Sequence, residues 1–409
     1  MNSQQLAIQF FLMIGVILVL CKVAGKIARR VGQPQVVAEM AAGILLGPSV
    51  LGALAPGASA ALFPAPAMGT LYAVAQLGLA AYMFIVGLEF RMDIAGKYFR
   101  AAMAVSIAGM AAPFAAGAAL GWLFFSQKSM FPGATSRFEA VIFLGAAMCI
   151  TAFPMLARII HFKNLAGTRM GTISLGAGAI NDAAAWCLLA LVLASFDGNP
   201  ARAVVTIGMG LGYVALVLLV LRPALAWWYR NENGALSEGG LITALLCMAF
   251  GAWFTDLIQL HAVFGAFIMG IAMPRKIAQP LIAAIQPLTV ALLLPLFFTY
   301  SGLNTSIGLL NSPALWGMAA VIFIAAMLGK GGACALAARA SGLPVNESLG
   351  IGALMNARGL MELIIINIGL SRGIISQAMF AALVIMAIAT TLIASPVFDY
   401  LTPTKSGRQ

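Results

Sequence analysis

Long apolar runs, separated by short segments rich in charged residues, Gly and Pro, recur along the whole chain. A helix that crosses a bilayer needs about 20 apolar residues. Thirteen stretches approach this length, although the ninth is short. They are 6–27, 34–53, 70–90, 101–125, 139–160, 170–195, 203–228, 237–257, 260–274, 284–304, 315–338, 347–370 and 377–398. The pattern predicts an all-α polytopic membrane protein with about 13 transmembrane helices.

Composition narrows the class further. Of the 409 residues, 62% are hydrophobic and only 9% are charged, whereas soluble globular proteins carry about 25% charged residues. Little chain lies outside the predicted spans, so residues 1–409 are expected to form a single transmembrane domain with no soluble regulatory domain. The five cysteines lie apart within apolar runs, and no metal-binding spacing occurs, so no cofactor is expected.

The charge distribution predicts an orientation. The net charge of +11 could indicate nucleic acid binding, but the basic residues are scattered. They lie mostly at the ends of predicted spans, where Lys and Arg orient membrane proteins. With the N-terminus outside, 17 Lys and Arg residues fall on the cytoplasmic side and four on the other. The bias predicts a multi-pass protein of a bacterial-type inner membrane, with a cytoplasmic C-terminus and no nucleic acid partner.

Thirteen spans also permit an inverted repeat. A shift of seven helices turns each of spans 8–13 upside down relative to its partner among spans 1–6, as in many secondary transporters. The fifth and twelfth spans, which are partners at this shift, both contain helix-breaking residues at mid-depth. These segments are Thr151-Ala152-Phe153-Pro154 and Asn356-Ala357-Arg358-Gly359. They predict two discontinuous helices whose freed backbone groups can bind ions near the midplane; for a single break, an ordinary proline kink is the alternative.

Asp182 lies near the middle of the sixth span, among small residues that leave room for an ion. Burial penalises the charged form of a carboxylate, so a proton and a metal cation compete for one negative site. This competition is the minimum requirement for cation/proton exchange. A carboxylate locked in a buried salt bridge is the alternative. The neighbouring Asn181 either offers a carbonyl to the same site or packs two helices together.

Four other charged groups are predicted inside or at the edge of spans. Lys330, flanked by glycines in the eleventh span, needs a partner, and Asp182 is the acid predicted at a comparable depth. Their pair is either proton-sensitive or a permanent clamp. Arg358 and Glu362 are four residues apart and predicted to pair, as a structural element or as part of the ion pathway. Glu39, at the start of the second span, is expected to be a partly solvated acid; Glu362 and Glu39 are secondary site candidates.

Several short motifs extend over nearly the whole chain. They are Gln33-Pro34, Gly43-Ile44-Leu45-Leu46-Gly47-Pro48, Phe84-Ile85-Val86-Gly87-Leu88-Glu89, Thr151-Ala152-Phe153-Pro154, Leu156-Ala157-Arg158, Asn181-Asp182 with Trp186, and Asn356-Ala357-Arg358-Gly359-Leu360-Met361-Glu362-Leu363. Together they resemble the monovalent cation:proton antiporter-2 family of the sodium/proton exchanger superfamily. The resemblance is greatest to the plant-type cation/proton exchanger branch and its bacterial relatives.

The resemblance implies a homodimer with an elevator mechanism. A core domain with two crossed discontinuous helices, from spans 5, 6 and 11–13, would slide against a dimerisation domain formed by the remainder. It also implies that Asp182 binds the cation and the proton, with Thr151 and Asn181 as neighbours and Lys330 paired near it. Electrogenic members have two consecutive acids at this site. Because Asn181 replaces the first of them, one-for-one electroneutral exchange is expected.

The sequence therefore predicts a secondary active antiporter that exchanges K⁺ or Na⁺ for protons and serves pH homeostasis. Both cations stay open, because selectivity depends on cavity size and on the field of the surrounding carbonyls. The alternative is a gated cation channel that uses the same intramembrane charges. An enzyme is not expected, because the chain has no paired catalytic aspartates on facing spans, no H-E-x-x-H motif and no Ser/His pair at one depth.

Overall fold

A computed structural model describes residues 2–30, 33–90, 92–127, 129–133, 135–196, 200–232, 236–303 and 312–402. Within these ranges the regular structure is helical, and no strand occurs. We number the α-helices in chain order. The first nine are α1 Ser3–Arg30, α2 Gln35–Leu46, α3 Leu51–Leu54, α4 Pro56–Leu62, α5 Ala65–Glu89, α6 Met92–Phe124, α7 Arg137–Cys149, α8 Phe153–Phe162 and α9 Arg169–Phe196. The others are α10 Pro200–Leu216, α11 Arg222–Trp228, α12 Glu238–Leu257, α13 Ala262–Ala272, α14 Arg275–Leu288, α15 Leu294–Leu303, α16 Pro313–Ala340, α17 Val345–Leu354, α18 Leu360–Ser371 and α19 Gln377–Leu401.

Two pairs of consecutive helices are each joined by a π-helical turn. Val217–Leu221 connects α10 to α11, and Thr289–Leu293 connects α14 to α15. Pro223 follows the first turn and Pro287 precedes the second. Proline has no N–H and interrupts the regular hydrogen-bond ladder of a helix, so a widened turn next to it keeps each helix continuous.

Ten helical segments of the described chain are long and apolar enough to cross a membrane. They coincide with ten of the thirteen predicted spans. The other three predicted spans fall on α9, on the 11-residue α13, and on the pair α17 and α18. The all-helical, polytopic class is thus confirmed, and the count of thirteen stays a prediction.

The chain separates into two compact units. The first comprises Met1–Cys21, Gly57–Met92 and Trp186–Tyr300, and the second comprises Lys22–Pro56, Asp93–Ala185 and Ser301–Gln409. The fifth, eleventh, twelfth and thirteenth predicted spans all belong to the second unit, as does Asp182. The assignment of a core domain and a dimerisation domain stays a prediction.

In the first unit, the short helix α13 contacts both α5 and α12. Glycines make these contacts possible. A Cβ added at Gly87 would overlap the carbonyl oxygen of Phe267, and one added at Gly265 would overlap that of Gly251. Only a residue without a side chain lets two backbones approach this closely. These glycines therefore allow α13 to pack closely against its two neighbours.

The second unit contains both helix breaks. One lies between Cys149, the last residue of α7, and Phe153, the first of α8; the other lies between Leu354 of α17 and Leu360 of α18. The unwound segments meet, because the Ala152 N–H donates to the Ala357 carbonyl over 3.1 Å. A backbone group freed from a helix inside a membrane protein needs such a partner.

The residues at this crossing act differently from what their sequence pattern suggests. Pro154 lies in the first turn of α8, where a missing N–H costs nothing because that group has no acceptor within the helix. It starts a new helix after the break, so it does not kink a continuous helix as the alternative for a single break supposed. Gly359 has extended backbone, with φ of 177°, which any residue can adopt. Glycine suits the position because a Cβ there would lie only 3.3 Å from the Ala152 Cβ.

Candidate functional site

Asp182 lies on α9 within the second unit and is 2% exposed. Among the described residues, its Oδ1 atom has no hydrogen-bond partner, and its side chain forms no ion pair. One turn earlier, Gly178 lets α9 approach α8, since a Cβ there would lie 2.7 Å from Leu156 Cδ2. A buried carboxylate oxygen without a donor is costly in free energy, so the position favours a bound proton or cation.

Asn181, the preceding residue, is hydrogen-bonded to two hydroxyl groups. Its Nδ2 donates to Thr151 Oγ1 over 3.3 Å, and its Oδ1 accepts from Ser106 Oγ over 2.5 Å. All three side chains are buried. Asn181 therefore connects α6, α9 and the break before α8, and its carbonyl oxygen is occupied by Ser106. Of the two interpretations of Asn181, the geometry favours the packing role.

Ser106 is a site residue that the sequence reasoning missed. A signal was present: between Arg100 and Trp122, Ser106 is the one polar side chain in an otherwise apolar run of α6. Polar side chains inside transmembrane helices commonly hydrogen-bond to another helix. Which helix receives the bond cannot be read from the sequence, because Ser106 and Asn181 are 75 positions apart.

Lys330 on α16 is fully buried, and its Nζ donates to the Cys149 carbonyl over 2.5 Å. Among the described residues, it forms no ion pair with a carboxylate. The predicted pair between Lys330 and Asp182 is therefore not formed in this structure. Cys149 is the last residue of α7, whose final carbonyls lack intrahelical donors and form the negative end of the helix dipole. That helix end provides the partner that the buried ammonium needs.

Arg358 forms the predicted pair with Glu362, with 2.9 Å between Nη1 and Oε1. Both side chains are buried. Arg358 Nη2 also donates to the Met148 carbonyl over 2.8 Å, and the Arg358 N–H donates to Thr391 Oγ1 over 2.8 Å. Arg358 lies in the break before α18, so this pair closes an unwound segment. Two cations, Lys330 and Arg358, thus bind consecutive carbonyls at the end of α7.

Glu39 differs from its sequence expectation. The predicted partly solvated acid is fully buried on α2, which contacts α8. Arg158 of α8 lies nearby, with 3.8 Å between Nη2 and Glu39 Oε1. Contact between α2 and α8 removes Glu39 from solvent, which its place near a helix start did not reveal. Glu39 and Asp182 therefore have different surroundings, one beside a guanidinium and one with no ion-pair partner among the described residues.

These features together define a class of protein. A membrane-embedded chain brings two helix breaks into hydrogen-bonded contact, neutralises the adjoining helix end with two cations, and holds a buried carboxylate beside this arrangement. Discontinuous helices with a buried charge at their crossing are the ion sites of secondary transporters. The geometry is that of an ion transporter.

Comparison with known proteins gives the family. The model of the family described as "Sodium/hydrogen exchanger, transmembrane" matches residues 15–402, and the chain belongs to this family. The Na⁺/H⁺ antiporter NhaS4 of Synechocystis sp. is 37% identical over 393 residues, which cover 95% of this chain and 96% of that protein. The protein is therefore a multi-pass membrane antiporter and not an enzyme.

Other relatives are longer or more distant. Cation/H⁺ antiporter 17 of Arabidopsis thaliana is 35% identical over 94% of this chain, and K⁺/H⁺ antiporter 1 of Saccharomyces cerevisiae is 30% identical over 98%. The chain spans about half the length of these two relatives, 47% in each case. The solved structure of the sodium proton antiporter MjNhaP1 from Methanocaldococcus jannaschii has a TM-score of 0.68 at 16% identity, covering 98% of this chain and 100% of that one. That likeness concerns the fold.

Proposed function

We propose that this chain exchanges K⁺ or Na⁺ for protons and that Asp182 is the shared site. The supporting observation is a buried carboxylate whose Oδ1 has no hydrogen-bond partner among the described residues. Either a proton or a monovalent cation neutralises that group, and the two exclude each other. Competition at one carboxylate couples the two fluxes without any further device. The named activities of the relatives, Na⁺/H⁺ and K⁺/H⁺ antiport, agree with this proposal.

Asp182 is favoured over the other buried acids by what surrounds each of them. Glu362 is held by Arg358 at 2.9 Å, and Glu39 lies beside Arg158. A carboxylate neutralised by a fixed guanidinium has no need of an exchangeable cation. In the described part of the chain, Asp182 has no such partner, so the compensating charge must come from the transported ions.

The neighbours of Asp182 serve as its framework. Thr151 and Ser106 hold the Asn181 amide, which fixes α9 against the helix break. Lys330 holds the end of α7 through the Cys149 carbonyl. In this proposal Lys330 keeps its place throughout the cycle, and one carboxylate titrates per turnover. The exchange is then one-for-one and electroneutral.

The resemblance and the two units motivate an elevator mechanism in a homodimer, with the N-terminus outside. Light scattering of the detergent-solubilised protein should give twice the mass of one chain, and a monomeric mass contradicts the dimer.

The elevator has a separate test. Spin labels, one in each unit, should report two distance populations that shift with the cation present. A single fixed distance contradicts the elevator.

A reagent that does not cross membranes should label a cysteine introduced at position 2 from outside the cell; labelling from the cytoplasmic side contradicts the orientation.

A gated cation channel is the alternative from another class, because the same buried charges could line a pore. A channel carries cations without an obligatory counter-flow of protons. The paired helix breaks favour the carrier. Proton release on addition of the cation separates the two, because a channel would admit the cation without an obligatory release of protons.

The decisive experiment uses everted membrane vesicles and a pH-sensitive dye. Adding Na⁺ or K⁺ should release protons through the unmodified protein and not through Asp182→Asn, which keeps the shape of the side chain and removes its charge. Asp399→Asn is the matched control: this acid is half exposed and paired with Lys163, and its change should leave exchange intact. If correctly folded Asp182→Asn exchanges at the normal rate, the assigned site is wrong.

A further inference from the structure

A cavity of about 220 Å³ lies at one end of the first unit. It forms where α5 and α13 end, where α14 begins, and beside α11. Gly87 and Gly270 line it, and a Cβ added at Gly270 would lie only 2.9 Å from the Gly87 Cα. The backbones of α5 and α13 are therefore in direct contact, and the side chains of the helix ends leave the space open.

The lining of the cavity is both cationic and apolar. Arg222 and Arg275 supply two guanidinium groups, and Leu88, Phe90 and Met273 are among its apolar residues. No acidic residue is among the described residues that line it. A guanidinium has five N–H donors, so it can bind an oxyanion and keep contacts within the protein. Arg275 also begins the 14-residue helix α14, whose amino end favours negative charge.

Neighbouring residues place the cavity at the level of lipid headgroups. Trp227 and Trp228 follow the lining residue Ala226 on α11, and they are 62% and 57% exposed. Arg230 stacks over Trp227 at 4.8 Å. Exposed Trp next to basic residues is typical of the boundary between hydrocarbon and headgroups. Basic pockets between helices at that level bind anionic headgroups.

We propose that this cavity binds the phosphate group of an anionic glycerophospholipid, with Arg222 and Arg275 as its ligands. A free phosphate ion has the same oxyanion groups for the arginines to bind, but it has no apolar part to contact the apolar lining. In the π-helical turn that precedes α11, Leu219 and Val220 are 75% and 56% exposed. This apolar surface suits the acyl chains of a lipid whose headgroup occupies the cavity. The lipid joins the ends of α5, α11, α13 and α14 in the first unit.

The test measures melting of the full chain in a neutral detergent, without reference to transport. Phosphatidylglycerol should raise the melting temperature in a saturable way, whereas phosphatidylcholine and inorganic phosphate at equal concentrations should not. The double variant Arg222→Gln/Arg275→Gln should bind phosphatidylglycerol about tenfold more weakly or worse. Arg230→Gln removes a nearby charge that does not line the cavity, and it should respond as the unmodified protein does.

Two outcomes overturn the proposal: a double variant that responds normally to phosphatidylglycerol, or inorganic phosphate that reproduces the effect of the lipid. If the double variant does not fold, Ala226→Phe fills the cavity and keeps both arginines. It should also lose the response, and a normal response in this variant overturns the proposal. Because the readout is lipid binding, its failure leaves the assignment of Asp182 untouched.

Discussion

The amide of Asn181 has both of its polar ends occupied by hydroxyls from other parts of the chain. Ser106 donates to its oxygen, and its nitrogen donates to Thr151. An asparagine held in this way has one orientation, and the backbone of its neighbour Asp182 is held with it. At the scale of single residues, the proposed site therefore depends on a serine that is hydrogen-bonded to Asn181 and not to Asp182.

Ser106→Ala tests this dependence. Removing the hydroxyl leaves the buried Asn181 oxygen without a donor, which should cost about 0.5–2 kcal/mol. We expect a lower melting temperature and a raised apparent KM for the cation, measured in the same preparation. Ser174→Ala is the matched control, because Ser174 is a buried serine on α9 whose Oγ has no hydrogen-bond partner in the described structure. Equal effects of the two changes contradict the role of Ser106.

Arg358 and Glu362 show a second dependence at the scale of single residues. They are buried, and their opposite charges neutralise each other. Breaking a buried pair on one side costs about 3–5 kcal/mol, because one charge stays behind uncompensated. Arg358→Met should therefore lower the melting temperature strongly, and adding Glu362→Met should restore at least half of the loss.

Arg169 and Glu347, a pair that is about one-third exposed, provide the control for this prediction. Arg169→Met should cost less than about 1 kcal/mol, as exposed pairs usually do. A double variant at Arg358 and Glu362 that is less stable than either single variant would show that the pair itself, and not charge compensation, stabilises this region.

The sequence predicted these residues with uneven success. Spacing along the chain was enough for Arg358 and Glu362, because residues four apart face each other at a helix start. It was not enough for Lys330, whose partner is the Cys149 carbonyl, 181 positions away. A main-chain carbonyl has no sequence signature, so side-chain chemistry alone pointed to Asp182 instead.

At the scale of helices, the two breaks are stabilised by each other. The Ala152 N–H and the Ala357 carbonyl are bonded, and the end of α7 is occupied by Lys330 and Arg358. Pro and Gly indicated where the helices stop, because their backbone preferences are local. The contact between the breaks depends on how the helices pack, and the residues involved are about 200 positions apart.

The packing of α12 on α13 gives a prediction for elements. In Gly265→Ala the new methyl group would overlap the Gly251 carbonyl, so the helices must separate. Overpacking of this kind costs about 1–3 kcal/mol, and we expect a clear fall in melting temperature. Gly212→Ala in α10 is the control, since no atom lies within 4 Å of its added Cβ. Alanine favours helix there, so stability should be unchanged or higher; similar losses in both variants contradict close packing at Gly265.

For the whole molecule, the number of charges moved per cycle is the property to measure. One carboxylate that carries either a proton or a monovalent cation moves no net charge in the exchange. Each net charge would respond to the membrane potential with ~2.3 kcal/mol per 100 mV, which is readily detected. In reconstituted vesicles with a clamped potential and no ion gradient, we expect no transport of Na⁺ or K⁺.

Transport that follows the potential under these conditions contradicts the electroneutral proposal. Lys330 is then the next group to examine, since a second titrating residue would supply the additional proton. Lys330→Gln keeps a donor for the Cys149 carbonyl and removes the charge, so loss of voltage dependence in that variant would identify Lys330 as the source.

The sequence by itself determined the membrane-spanning class, ten of the membrane spans, the positions of the helix breaks and the burial of Asp182. These properties depend on composition and on neighbours along the chain. Only the tertiary structure decided that Ser106 holds Asn181, that Lys330 and Arg358 bind the end of α7, that Glu39 is buried, and that two arginines share a cavity. The physical reason is that a buried polar group must find a partner, and helix packing brings that partner from a distant part of the chain, often as a main-chain atom present in every residue.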